Sequence, residues 1–140
     1  MKNLMELYDI ALDNDVEVYD KKLNTMKAFS LPGSIVIDSK QLPTMAEIKV
    51  CFAHELGHEL KSAFYNIRNT LETRGRQEER ATRWAVDTLV PADLLLSAIE
   101  KGYTEIYELA EYFNVTEDFI RDAIRIHQQR GDLDEVLNVE

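Results

Sequence analysis

A chain of 140 residues with 16 basic and 26 acidic side chains, a formal charge of −10, lacks the Lys and Arg excess needed for a fold-wide phosphate-binding surface. At 45 % hydrophobic and 30 % charged it can fill one core and is not disordered by composition. It has no apolar run of about 18 residues, no basic-then-apolar leader and only one cysteine, Cys51, so a single reduced, cytoplasmic domain over residues 1–140 is expected, with no membrane partner.

Residues 2–13 carry Leu4, Met5, Tyr8, Ile10 and Ala11 at helical spacing and should form an amphipathic helix. Two short β-branched runs follow at 16–19 and 34–38, the second behind a turn at Leu31-Pro32-Gly33, so two or three strands are expected. Thr44 and Glu47 have capping-box spacing, and the helix they open should run to about residue 64. Residues 66–77 are polar, contain Gly75 and read as a loop. A second helix over 78–90 should stop at Pro91. Shorter helices are expected over 92–101, capped by Gly102, then over 104–114 and 116–131. The fold class is α+β and mostly helical, with a small antiparallel or mixed sheet packed on the Thr44 helix and a C-terminal helical pair.

The Thr44 helix contains Ala53-His54-Glu55-Leu56-Gly57-His58-Glu59, an HExxH motif. Residues four apart on a helix lie about 40° apart in projection, so His54 and His58 face one way, one turn apart, and can share a zinc ion. Glu55 projects beside that pair, placed to take a proton from water that the metal activates and to pass it to a leaving amine. The competing reading is a solvated surface helix, which the rarity of the motif by chance and its strongly helical setting disfavour. Catalytic zinc needs a third protein ligand and an open position. His127 is the only other histidine, so a downstream carboxylate is the natural choice. Glu78 shares a helix face with the small residues Ala81, Thr82 and Ala85, which would let two helices pack closely. Glu79 is the alternative, although its spacing to Arg83 reads as a surface ion pair. Gly57 costs about 1 kcal/mol relative to Ala in a helix, which suggests another backbone passing close by, from the sheet or from the Glu78 helix, with a simply tolerated glycine as the alternative. Cys51 reads as a small buried hydrophobe rather than a ligand.

These residues together resemble the ImmA/IrrE family of metallo-endopeptidases, over about residues 20–130. The matching features are the strand at 34–38, the run from Ile48 to His58, and Glu78-x-x-Ala81-x-x-Trp84-Ala85 leading into Leu89-Val90-Pro91. The resemblance implies a minimal gluzincin-like fold, one zinc per chain, Glu78 as third ligand beside His54 and His58, and Glu55 as catalytic base. It also implies regulatory proteolysis, with a helix-turn-helix repressor of a mobile element or stress response as protein substrate. The alternative is a zinc-binding regulator that acts on its partner without cutting it. Two stretches depart from the family pattern. Arg80-Ala81-Thr82 stands where Glu-Ala-Asn or Glu-Ala-Asp is usual, and Leu-Val-Pro stands where Leu-Met-Pro is usual. Asn or Asp at position 82 could orient a ligating imidazole; Thr82 reaches less far, so weaker zinc binding or turnover is expected.

Residues 104–130 have the apolar spacing of a helix-turn-helix, but 104–125 carry six acidic side chains against Arg121 and Arg125. Direct nucleic-acid binding is therefore disfavoured, and two packed core helices or a protein-docking surface are the better readings. Residues 132–140 read as a solvated acidic end. Tyr65, Tyr103, Tyr107 and His127 are the candidates for a group that stabilises an oxyanion. Residues 34–38 are the expected sheet edge for an extended substrate.

Overall fold

The computed structural model describes residues 2–61 and 71–133. Asn3 opens α1 (Leu4–Asp13), its side chain accepting from the Glu6 N–H while Glu6 reaches back to the Asn3 N–H. Leu7 and Ala11 turn inward from this helix. Three short strands follow, β1 (Glu17–Asp20), β2 (Ala28–Leu31) and β3 (Ser34–Ile37). The sheet order is β1-β3-β2, with β1 parallel and β2 antiparallel to β3, so the sheet is mixed.

This order corrects one expectation. The strand at 34–37 is the centre of the sheet rather than its substrate-accepting edge. Its Ile35 and Ile37 are buried, as befits a strand paired on both sides. The edge facing away from β1 is β2, joined to β3 by Pro32 and Gly33. Gly33 has φ 85, and Pro followed by a residue at positive φ is the type II combination.

After a 3-10 turn over Ser39–Gln41, Thr44 and Glu47 form the expected capping box of α2 (Met45–Leu60). The 62–64 end of the predicted helix lies outside the described residues. The polar stretch read as a loop is helical where it is described, because α3 spans Leu71–Leu89; residues 66–70 lie outside the described residues. Glu72 and Arg76 pair at i, i+4 on its solvent side, and the polarity that imitated a loop is the exposed face of a long helix. Pro91 ends this run, and α4 (Ala92–Glu100), α5 (Ile106–Phe113) and α6 (Glu117–Arg130) complete the predicted order. No helix among the described residues is long and apolar enough to cross a membrane.

The core lies where α2 crosses α3 beneath the sheet. Phe52, Ala53 and Leu56 of α2 and Ala81, Ala85 and Val86 of α3 all have no exposed surface. At the crossing, a Cβ on Gly57 would stand 2.5 Å from the Ala81 carbonyl oxygen and 2.9 Å from the Ala81 Cα. The backbone that required glycine is therefore that of α3, one of the two expected.

The C-terminal pair is tied back onto these helices. The buried Lys49 Nζ of α2 donates to the Phe113 carbonyl at 2.7 Å, at the end of α5 where helix carbonyls lack internal partners. Arg125 of α6 donates to both oxygens of Glu79 at 2.8 and 2.9 Å, and Arg130 to Asp87 at 2.6 Å. Glu79 thus pairs with α6 rather than with Arg83, whose guanidinium donates to Gln129 instead. The start of the expected solvated tail is also packed. Leu133 is buried and the Asp132 carboxylate lies 3.1 Å from His127 Nδ1; residues 134–140 lie outside the described residues.

Candidate metal centre

His54 and His58 project from the same face of α2 with ring centroids 4.9 Å apart. Their Nε2 atoms lie 2.6 and 2.9 Å from the two carboxylate oxygens of Glu78, which α3 brings across at the Gly57–Ala81 crossing. One ligand atom from each of the three lies within 4.8 Å of the others, so the group can hold a metal ion. Two imidazole nitrogens and one carboxylate are the donor set of an open catalytic zinc site, whose ligand atoms about 2.1 Å from the ion stand roughly 3.4 Å apart. The residues present fit such an ion. The two helices that carry them are fixed against each other by backbone contact, so the ligands do not depend on a loop for their spacing.

Glu55 lies beside this trio with 9 % of its surface exposed. Burial pushes its carboxyl above the ordinary carboxylate range, against the opposing hydrogen bond from Ser30 and the two imidazoles. A carboxylate raised in this way holds a proton more readily than an exposed one, which suits it to accept and return one. Thr82 Oγ1 stands 3.4 Å from His54 Nδ1. The contact is at the long limit of hydrogen bonding, so position 82 touches the imidazole but holds it weakly.

Other sequence candidates fall away from the centre. Arg125 holds the Glu79 carboxyl below its usual range and turns it towards α6. Burial pushes the Cys51 thiol up to about 11, so it is a protonated, half-buried side chain. His127 is buried and donates from Nε2 to the Val90 carbonyl at 2.8 Å. Tyr103 packs on Tyr112, and Tyr107 lines a groove beside Thr44 and Asn114. None of these three lines the cleft at the metal centre, and Tyr65 lies outside the described residues.

That cleft, about 570 Å³, is walled on one side by His54, Glu55, His58 and Glu78 and on the other by Met26, Ala28, Phe29, Ser30 and Leu31. The wall supplied by β2 and the segment before it was missed in the sequence. The available signal was Pro32-Gly33 directly before a strand, a hairpin turn that calls for a partner strand ending at Leu31. Both ends of this wall are anchored by side chains. Glu59 Oε1 accepts the Gly33 N–H at 2.7 Å, tying the β2–β3 turn to the residue after His58. Asp38 accepts from the Leu23 N–H and from Gln41, whose amide also donates to the Leu23 and Met26 carbonyls at 3.1 and 3.0 Å.

No match was found among curated proteins or solved structures. The sequence model of the IrrE N-terminal-like domain (Peptidase_M78) matches residues 12–125, a span that holds the whole cleft and both helices that wall it. The chain therefore belongs to that metallopeptidase family, the ImmA/IrrE group that its motifs resemble.

Proposed function

We propose that the protein is a zinc-dependent endopeptidase that cuts or inactivates a protein regulator. The observation that carries this reading is the convergence of His54, His58 and Glu78 from two crossed helices, with the part-shielded carboxylate of Glu55 alongside, on a cleft bordered by β2, which pairs with no second strand among the described residues. His54 and His58 would hold the ion through Nε2 and Glu78 through its carboxylate. Zinc supplies Lewis acidity towards a peptide carbonyl and lowers the pKa of attacking water. Glu55 takes the proton of that water and delivers it to the departing amine. The N–H and C=O groups of β2 pair with an extended substrate segment, fixing the scissile peptide without reading much of its sequence. A helix-turn-helix repressor as substrate follows from the resemblance to the ImmA/IrrE family.

The test is co-expression with the helix-turn-helix repressor encoded nearest to this chain, followed by mass. A discrete cut with wild type and none with Glu55→Gln, at equal zinc content, is the expected result. An intact repressor that co-purifies with both forms would replace proteolysis by the second reading, a zinc protein that acts by binding. The long Thr82–His54 contact favours that reading, since a loosely oriented ligand holds its metal less well.

A further inference from the structure

The register of the sheet assigns each side chain of β2 to a face. Ser30 and Ala28 stand opposite Ile35 and Ile37, which are buried, and Ser30 reaches Glu55. Phe29 and Leu31 stand opposite Val36 and Ser34, and therefore share the other face. On that face Leu31 is 55 % exposed; Met26, which precedes the strand and lines the same cleft, is 47 % exposed. Large apolar side chains left this open at the mouth of a cleft are not accounted for by the core.

A segment added to the β2 edge continues the pleat, so its side chains alternate between the same two faces. Those that fall beside Phe29 and Leu31 are two positions apart in the bound segment. The residue between them turns towards Ser30 and the metal centre. We infer that the β2 edge selects an extended segment with two large apolar side chains separated by one residue, seated against Phe29 and Leu31. This rests on the endopeptidase reading and names the class of sequence it takes.

Two peptide hydroxamates of identical composition test the spacing, acetyl-Leu-Ala-Leu and acetyl-Ala-Leu-Leu, because the hydroxamate anchors on zinc whether or not the protein cuts. Titration calorimetry on the zinc-loaded full chain should show the alternating isomer binding about fivefold tighter, the scale of one half-buried leucine. Leu31→Asn should remove most of that lead while leaving zinc content at one per chain. Equal affinities for the two isomers, or a lead that Leu31→Asn does not alter, would overturn the inference. So would failure of both probes to bind a chain that holds zinc. A chain that holds no zinc would remove the endopeptidase reading, and this inference with it.

Discussion

Replacing Gly57 by Ala should do the opposite of replacing Gly75 by Ala, although both glycines lie within helices. At Gly57 the added methyl would stand 2.5 Å from the Ala81 carbonyl oxygen, about 0.8 Å inside an ordinary C···O contact of about 3.3 Å. The obstacle is backbone in the middle of α3, so the helices must separate. Overpacking of this kind costs about 1–3 kcal/mol, and the helix preference for Ala returns about 1 kcal/mol, leaving a net loss of up to about 2 kcal/mol. Gly75 has nothing within 4 Å of its added methyl, so Gly75→Ala keeps only the gain, about 0.5–1 kcal/mol. The separation at Gly57 also moves Glu78, three residues before Ala81, relative to His58. Metal–ligand distances tolerate only about 0.2 Å, so zinc affinity should fall at least tenfold, roughly 1.4 kcal/mol. Urea unfolding of the metal-free chain and a competitive chelator titration measure the two effects. If Gly57→Ala stabilised the chain as Gly75→Ala does, with zinc affinity unaltered, the close crossing of α2 and α3 would be refuted as the device that builds the site.

Neighbouring carboxylates should separate cleanly in zinc content measured by atomic emission. Glu78→Ala should lose stoichiometric zinc, whereas Glu79→Ala should keep it and cost at most about 1 kcal/mol, because the Glu79–Arg125 pair is partly exposed. Loss of zinc from Glu79→Ala alone would reverse the assignment. The Asp38 carboxyl is held below its ordinary 3.8 by Gln41 and by the Leu23 N–H, so it stabilises the fold above that value and the contribution fades as pH falls through the lower folded value. Asp38→Asn should therefore be less stable than wild type by a constant amount above about pH 5, with the gap narrowing in more acidic buffer. A gap that widened on acidification would contradict this sign. Glu59→Ala removes the acceptor of the Gly33 N–H, and mass-resolved hydrogen exchange should show faster exchange in the 28–34 hairpin with zinc content unchanged. Unchanged exchange there would show that the hairpin does not depend on this anchor.

Much of the centre was legible in the chain because its information is local. HExxH places two imidazoles and a carboxylate on one helix by periodicity alone, and Thr44 with Glu47 marks where that helix begins. Glu78 could be ranked above Glu79 because the small residues that follow it at helical spacing announce a close helix contact. What tertiary structure decided is whatever depends on partners distant in sequence. Glu79 found Arg125 rather than Arg83, 46 residues on, because α6 packs across α3. The polar opening of α3 imitated a loop, since a solvent-facing helix surface and a loop have similar composition. Strand order was undetermined by pattern because 34–37 alternates equally well at an edge or at the centre of a sheet, and only its pairing with both β1 and β2 put Ala28–Leu31 at the sheet edge beside the cleft among the described residues. Sequence periodicity thus set which residues share a face of one element, while the packing of elements far apart in the chain set which faces meet. The cleft, with one wall from α2 and α3 and the other from a strand and loop before them, belongs to the second kind.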